Sequence, residues 1–350
     1  MTYATAPELS SADPTTGQPD PKLLWDTFNA YQRTAALDAA IDLDLFTGIA
    51  EGHRLPSQLA AFCKASERGV RILCDYLTII SLLSKDEGGY QLTPTSAVFL
   101  NRHSPAYSGT IAQFVNLPEM VSAFAKLADV VRKGRTALPG KGTVDPEDPV
   151  WVVFAKSMTP MIAPTTDFVA SLVNGAGRGK ARVLDIAAGH GLFGISVARQ
   201  NPAAEIVAVD WPAVLEVARA NAIKAGVHTR YQLLPGDAFA VDFKGPYDAV
   251  LLTNFLHHFS QSTCISLLRK IHASLKPGGR VVTLEMVPNE DRITPPIPAA
   301  FSLIMLADTP DGDAYTFKQL SDMFTAAGFR SSEIVPVPNS PESAVVTRRN

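Results

Sequence analysis

The chain has little cysteine, no excess of positive charge and no long apolar run, and each absence excludes a class of protein. Only three cysteines occur in 350 residues, and Cys63, Cys74 and Cys264 each stand alone within an apolar stretch. Such isolated cysteines predict reduced core thiols rather than a disulfide framework or a zinc site. We therefore expect no metal cofactor.

The charge balance also limits the partners that the chain can bind. It has 31 basic and 34 acidic side chains, a net charge of −3, and no basic cluster that would hold nucleic acid or an anionic membrane. Residues 1–20 lack the basic start and apolar core of a signal peptide and are predicted to be a disordered tail. No apolar run reaches the ~20 residues that span a bilayer. These features predict a cytoplasmic protein with a small-molecule partner.

Residues 21–110 resemble a winged helix in outline. Apolar residues recur at helical spacing from Leu23 to Phe46 and again from Ser66 to Leu83, and a hairpin pattern surrounds the turn at Asp86–Gly89. A DNA-binding helix needs phosphate contacts, yet Arg71 is the only basic residue between Val70 and Leu83. A packing and dimerisation module is the favoured interpretation.

Residues 111–175 are predicted to be a helical connector. Pro160 and Pro164 interrupt an apolar helical stretch, where we expect a kink or a break. The apolar side chains of this stretch are Phe154, Met158, Met161 and Ile162. They suit either the lining of a ligand pocket or ordinary core packing, because methionine serves both.

Residues 176–350 alternate between strands and helices, the pattern of a largely parallel sheet covered on both faces. The predicted strands are ARVLDIA, EIVAVD, TRYQLLPGD, YDAVLLTN and GRVVTLEMV. The ligand of such a sheet lies beyond the carboxyl ends of its strands.

The stretch VLDIAAGHGLFG, residues 183–194, predicts a ligand turn at that edge. Gly189 and Gly191 allow a tight turn, and Asp185 before it suits a cationic group rather than pyrophosphate. Asp210 ends the next strand, where a carboxylate accepts hydrogen bonds from two ribose hydroxyls. Each acid alone is also a common strand-end residue. The remaining predicted cofactor contacts lie after the next three strands. They are Trp211 after the second strand, Asp237, Ala238 and Phe239 after the third, and Asn254 after the fourth.

An ammonium, a ribose and an adenine occur together in S-adenosylmethionine, and the chain resembles the S-adenosylmethionine-dependent O-methyltransferases that include caffeate and acetylserotonin O-methyltransferases. The motifs that carry the resemblance are YQLTP, VLDIAAGHG, VDWPAVLEVA, GDAF, FLHHF and YTFKQLSDMFTAAGF. It covers residue 23 to the C-terminus. It implies a class I methyltransferase, α/β and Rossmann-like with a mostly parallel seven-stranded sheet, behind a mainly α winged-helix domain that forms a homodimer.

The resemblance also implies the catalytic positions. His257 matches the general base of the family, and Glu285 matches one of two acids beside it. From their position after the fourth strand alone, both His257 and His258 are candidate catalytic bases, with loop hydrogen bonding as the alternative for each. By the resemblance, His258 replaces the usual aspartate, and Ala314 stands at the position of the second acid. An acceptor pocket is expected to add Phe301, Ile304 and Met305, while His190 lines the cofactor turn.

These residues predict O-methylation of a small hydrophobic, aromatic or polyketide-like metabolite, with S-adenosylhomocysteine as the product. Because the histidine motif is altered, transfer to sulfur, nitrogen or carbon of a non-aromatic acceptor by proximity alone stays open. A third alternative is a non-catalytic regulator that binds S-adenosylmethionine and uses its winged helix on DNA.

Overall fold

The computed structural model describes residue 19, residues 21–175 and residues 179–350, so the tail predicted over residues 1–20 lies outside the described residues except for Pro19. The described chain divides into two compact units, one ending at Asn116 and the other beginning at Leu117. The three cysteines are free thiols. No helix of the described ranges is long and apolar enough to cross a bilayer.

The N-terminal unit is a set of short helices with one hairpin. Its elements are α1 (Pro21–Phe28), α2 (Ala30–Asp42), α3 (Leu45–Ala50), α4 (Pro56–Cys63), α5 (Glu67–Ile79), β1 (Leu83–Asp86), β2 (Gly89–Leu92), α6 (Pro94–Phe99) and α7 (Ala112–Val115). Ser66 caps α5 by accepting a hydrogen bond from the Gly69 amide at 3.0 Å. The predicted hairpin is present, because β1 pairs antiparallel with β2 and Asp86 lies opposite Gly89.

The apolar residues of the N-terminal unit form their own core, with one exception. Phe46, Leu59, Leu77 and Tyr90 are almost completely buried within it. By contrast, α1 buries none of its residues. The exposed apolar side chains of α1 are Leu23, Leu24, Trp25 and Phe28. An exposed apolar stripe of this kind marks a surface that another element covers.

The C-terminal unit contains the large sheet and nine helices of the described chain. Its helices are α8 (Pro118–Ala125), α9 (Leu127–Lys133), α10 (Val150–Ser157), α11 (Thr159–Asn174), α12 (Leu192–Gln200), α13 (Pro212–Lys224), α14 (Gln261–Ser274), α15 (Pro296–Asp308) and α16 (Phe317–Ala326). Its strands are β3 (Ala181–Ile186), β4 (Ala204–Asp210), β5 (Tyr231–Pro235), β6 (Tyr247–Thr253), β7 (Leu275–Glu285), β8 (Ser332–Pro336) and β9 (Ser343–Arg348).

The sheet confirms the predicted fold class. Its seven strands lie in the order β5-β4-β3-β6-β7-β9-β8. Strands β3, β4, β5, β6 and β7 run parallel to one another, whereas β9 pairs antiparallel with both β7 and β8. Chain order reverses direction across the sheet between β3 and β6, which is the point where ligands bind in folds of this type. The segments that follow β3, β4, β5, β6 and β7 therefore meet along one edge.

The two prolines of the connector behave differently from the expected kink or break. Pro160 lies in the first turn of α11, where its missing amide hydrogen has no helical partner to lose. Pro164 lies inside α11, which continues to Asn174. The carbonyl that Pro164 leaves without an amide is that of Pro160, within the same first turn. The helix break falls instead at Met158, between α10 and α11.

Candidate active site

The turn after β3 has a left-handed backbone at two of its glycines. Gly189 and Gly191 have φ of 56° and 77°, values that cost other residues free energy. A Cβ on Gly191 would lie 2.7 Å from the Tyr231 hydroxyl and 2.9 Å from the Ala218 Cβ. Gly191 is also the N-cap of α12, so that this helix begins at the carboxyl edge of the sheet.

Asp185 is a buried acid with an unused oxygen. Its side chain is 1% exposed, and Oδ2 accepts a hydrogen bond from the Gly194 amide at 3.2 Å. Oδ1 has no partner within the described residues. Burial, followed by the neighbouring charge of Asp210, raises the pKa of Asp185 to about 8. A buried carboxyl without a counter-charge is costly unless a ligand supplies one, so this site fits the ammonium group of S-adenosylmethionine.

Asp210 fastens the turn to the neighbouring strand. Its Oδ2 accepts a hydrogen bond from the Gly189 amide at 2.8 Å, and its Oδ1 accepts one from the Trp211 amide at 2.7 Å. Burial raises the pKa of Asp210 to about 6, although the hydrogen bonds from the two amides act in the opposite direction. Each oxygen keeps a further lone pair. The carboxylate is thus held in a fixed orientation with acceptor capacity for vicinal hydroxyls.

The segments after β5 and β6 bring three aromatic rings together. Asp237 shapes its turn by accepting a hydrogen bond from the Phe239 amide at 2.9 Å. The ring of Phe239 lies 4.9 Å from that of Phe259 and 6.1 Å from that of Phe255. Ala238, between them, is buried. A polar acceptor beside a cluster of half-buried aromatic rings suits a nucleobase.

Asn254 follows β6 in a left-handed backbone conformation, with φ of 52°. Its amide donates a hydrogen bond to the Leu284 carbonyl at 2.8 Å. Its side chain is hydrogen-bonded to Glu342. The predicted cofactor residues therefore lie at the carboxyl ends of successive strands or on the segments that follow them, and Asn254 precedes the histidine pair in the chain.

The histidine pair after β6 is locked to a carboxylate at the end of β7. The Nδ1 atom of His257 lies 2.5 Å from Oε2 of Glu285, and its Nε2 atom lies 3.1 Å from Nε2 of His258. The other oxygen of Glu285 accepts hydrogen bonds from the amides of Phe255 and Leu256 at 3.1 and 2.9 Å. All three side chains are buried, with exposed fractions of 3–9%. Burial, followed by the charge of His257, lowers the pKa of His258 well below its ordinary value.

Aromatic side chains hold both imidazole rings in place. The ring of Phe301, on α15, meets the ring of His257 edge-on at 4.9 Å. The ring of Trp151, on α10, meets that of His258 in the same way at 5.0 Å. Trp151 is itself fixed, because its Nε1 donates a hydrogen bond to the Thr143 carbonyl at 2.9 Å. The two rings therefore have little rotational freedom.

The predicted acceptor residues divide into two groups. Met158, Ile162 and Met305 are buried, and Phe154 is half-buried with its ring 5.8 Å from that of Trp151. Phe301, described above, contacts His257 directly. Met161 and Ile304, however, are 43% and 39% exposed.

His190 lies in the cofactor turn, as expected. It is buried, and its Nδ1 accepts a hydrogen bond from the Leu192 amide at 3.1 Å. Burial lowers its pKa to about 4. The ring is therefore neutral at physiological pH, and it shapes the turn through this hydrogen bond.

Three functional residues were missed by the sequence analysis. Trp151 on α10 has been described, and the other two are acids. Glu342 precedes β9, and the pairing of Glu285 with Ser343 across the sheet places it beside Glu285. Burial raises the pKa of Glu342, and the neighbouring charge of Glu285 adds to the rise. No local pattern marks Glu342, because only the strand pairing brings it there.

Ala314, which stands where a second acid was expected, is completely buried, and its carbonyl accepts a hydrogen bond from Arg292 at 2.7 Å. Asp313 beside it donates its amide to the His257 carbonyl at 2.9 Å. This segment therefore supports the histidine loop through its backbone. Glu342 is the second buried acid near the pair instead.

Asp308 is the other missed acid. It ends α15, is 3% exposed, and its Oδ1 has no partner among the described residues. Burial raises its pKa to about 7, with no cation to oppose the shift. Its carbonyl accepts a hydrogen bond from the Thr143 hydroxyl at 3.2 Å, and the Thr143 carbonyl binds Trp151, so Asp308 belongs to the wall around His258. No group of three potential metal ligands occurs among the residues that the structure covers.

The comparisons with known proteins agree with this geometry. Residues 124–330 match the model of the O-methyltransferase domain family, and residues 25–102 match that of the O-methyltransferase dimerisation domain. The 3-hydroxy-5-methyl-1-naphthoate 3-O-methyltransferase of Streptomyces sahachiroi is 28% identical over 88% of this chain and 89% of its own length.

Two solved structures extend the likeness. A protein of Nostoc punctiforme, provisionally described as an O-methyltransferase, is 49% identical with a TM-score of 0.92, and the match covers 95% of this chain and 100% of that one. Human N-acetylserotonin methyltransferase in complex with S-adenosylmethionine has a TM-score of 0.80 at 23% identity, covering 97% and 99% of the two chains. At that identity the human protein shows the fold alone.

The fold and the site therefore define a methyltransferase that uses S-adenosylmethionine. The chain belongs to the O-methyltransferase family, in the form that carries an N-terminal dimerisation domain. The predictions of fold class, enzyme class and cofactor are confirmed. The comparisons support transfer to oxygen and lend no support to transfer to another atom or to a regulator without activity.

Proposed function

We propose that this enzyme methylates a hydroxyl group of a small aromatic or polyketide-like metabolite. General base catalysis is proposed to depend on the buried contact between Glu285 and His257. The naphthoate specificity of the Streptomyces relative supports an aromatic acceptor. The contact itself carries the proposal, because it stands at the carboxyl ends of β6 and β7, the edge at which the cofactor turn also lies. A phenolic hydroxyl must lose its proton to attack an electrophile, and a histidine oriented by a carboxylate provides the base.

The protein contributes position and deprotonation. S-adenosylmethionine, when bound, supplies the methyl group as an electrophile on a sulfonium. Asp185 and Asp210 would hold the two ends of its polar part, and the cluster around Phe239 would hold its base. Glu285 fixes His257 and stabilises the positive charge that the imidazole gains. Trp151 and Phe301 exclude water from the two rings by packing on them.

The acceptor pocket is proposed to use residues of the 111–175 connector as well as α15. Trp151 on α10 touches His258, and Phe301 on α15 touches His257. Asp308, with its unpartnered oxygen, would meet a hydrogen-bond donor on the acceptor. The proposed pocket is thus mainly apolar, with Asp308 and the histidine pair as its polar groups, as is usual for sites that orient a small aromatic ligand.

A homodimer is proposed through the N-terminal unit. The match of residues 25–102 to a dimerisation domain supports it, as do the side chains of α1, which are exposed by 60–67% at Leu23, Leu24, Trp25 and Phe28. A second copy of the chain would cover this apolar surface. The cytoplasmic location stays a prediction.

The test is methyl transfer by the purified full-length protein. Isotopically labelled S-adenosylmethionine is offered with a panel of hydroxynaphthoates, and the methylated product is identified by mass. Glu285→Gln should lower kcat by about 100-fold or more, because the imidazole loses its charged partner. Glu333→Gln, on the exposed face of β8, is the matched control and should retain the wild-type rate. Equal rates for the two variants would contradict the proposed base, and absence of transfer to any hydroxyl would contradict the acceptor class.

A further inference from the structure

The hydrogen bonds of the histidine pair determine which nitrogen is free to accept a proton. Both ring nitrogens of His257 already have protein partners, Glu285 at Nδ1 and His258 at Nε2. Of the three side chains, only His258 keeps an unpartnered ring nitrogen, since its Nδ1 is buried with no hydrogen bond among the described residues. His257 was the expected base, yet no atom of its ring is available to the acceptor in this arrangement.

The protonation pattern follows from counting donors and acceptors. Glu285 accepts two amide hydrogen bonds at its other oxygen, and a carboxylate is an acceptor only, so Nδ1 of His257 is the donor to it. A neutral imidazole has one donor and one acceptor nitrogen, so Nε2 of His257 carries a lone pair. Nε2 of His258 must then donate to it. The only ring nitrogen of the two histidines whose lone pair has no hydrogen-bond partner among the described residues is therefore Nδ1 of His258.

We propose that Nδ1 of His258 is the atom that takes the proton from the acceptor hydroxyl, and that the resulting positive charge passes to His257, where Glu285 stabilises it. This inference rests on the proposed O-methylation. The acceptor O–H proton moves to Nδ1 of His258, and the proton on Nε2 of His258 moves to Nε2 of His257. The oxygen gains the electron pair with which it attacks the methyl group. The surplus proton leaves to solvent after the product.

The relay removes an energetic difficulty at His258. A buried imidazole that faces another imidazole is a poor place for positive charge. In the relay the charge comes to rest on His257, whose Nδ1 lies 2.5 Å from the Glu285 carboxylate. The packing of Trp151 and Phe301 keeps the two rings aligned for the transfer. His258, which replaces the usual aspartate of the family, thus adds a second imidazole between the acceptor and His257.

The first test measures tautomers and needs no acceptor. The full-length protein is labelled with ¹⁵N-histidine, and the ring nitrogens are observed by NMR at pH 7. His258→Gln identifies the His258 signals by their loss, and His103→Gln, at an exposed histidine, leaves both signals of the pair in place. We expect protonated Nε2 and unprotonated Nδ1 in His258. A proton on Nδ1 of His258 would overturn the proposal, whatever the enzyme's activity.

The second test separates a base from a positioning residue. The probes are 2-naphthol, which is neutral at pH 7, and 1-nitro-2-naphthol, which is largely ionised there. His258→Gln keeps an N–H donor for His257 but cannot take a proton. It should lower kcat/KM for 2-naphthol by about 100-fold or more and change that for the nitro compound by only a few-fold. An equal loss with both probes, or no loss with either, would refute the relay. If the wild type methylates neither probe, the proposed acceptor class fails, and the tautomer measurement alone decides the relay.

Discussion

Replacing Asp185 by asparagine is expected to stabilise the ligand-free protein while weakening cofactor binding. The carboxyl is 1% exposed, and burial raises its pKa to about 8. In the unfolded chain an aspartate titrates near pH 4. Between these two values the folded chain keeps a proton that the unfolded chain releases. The wild-type stability therefore falls as pH rises from about 4 to about 8.

The structure gives the size of this effect. Each pH unit within the interval costs about 1.4 kcal/mol, so the ceiling at pH 7 is about 4 kcal/mol. Asparagine keeps the acceptor for the Gly194 amide, now at 3.2 Å, and it does not ionise. Asp185→Asn should thus match the wild type near pH 4 and exceed its free energy of unfolding at pH 7 by up to about 4 kcal/mol.

The assay compares unfolding and binding in the same two proteins. Thermal unfolding without ligand is recorded at pH 5 and pH 7.5, and calorimetry gives the Kd of S-adenosylhomocysteine. We expect the midpoint difference to grow with pH and the Kd to rise by about 10-fold or more, the cost of one charged hydrogen bond. Asp322→Asn, at an exposed aspartate, is the control. A variant that is less stable than the wild type at both pH values, or that binds as tightly, would refute the reasoning.

Two further predictions test neighbouring features. Gly191→Ala should destabilise the protein by about 1–3 kcal/mol, measured by thermal unfolding, because the new Cβ would meet Tyr231 and Ala218 at a φ of 77°; an unchanged midpoint would contradict the close packing of the turn. Asp308→Asn should flatten the decline in stability between about pH 4 and pH 7, because burial raises the pKa of Asp308 to about 7. A wild-type slope that persists in the asparagine variant would show that this carboxyl does not cause it.

Residues of this site that lie in local sequence patterns could be predicted from the sequence, whereas contacts between distant segments could not. Asp185, Gly191 and Asp210 could be predicted because each lies at the end of a strand or in a turn with its own pattern. The fold class followed from the same alternation of strands and helices. Met161 and Ile304 were assigned to the acceptor pocket on their apolar character and place in the chain. Both are exposed in the structure, and their place in the pocket stays a prediction.

Contacts between distant segments could not be foreseen. Glu342 reaches the histidine pair only because β9 inserts between β7 and β8 with Ser343 opposite Glu285. Trp151 contacts His258 across more than a hundred residues of chain. The sequence did show that His258 and Ala314 depart from the family pattern. Only the structure shows that His258 contacts His257 and that Glu342 lies beside Glu285.

Four acids of this unit have raised pKa values for the same reason, and this connects stability with function. Burial is the first cause at Asp185, Asp210, Asp308 and Glu342, and Asp185 and Asp308 each have an oxygen without a partner among the described residues. A folded chain gains nothing from an unpaired buried carboxyl. Ligands that supply donors or positive charge would lower these pKa values, release protons and stabilise the fold. The decline of stability with rising pH should therefore be steepest in the free enzyme and weaker once cofactor and acceptor are bound.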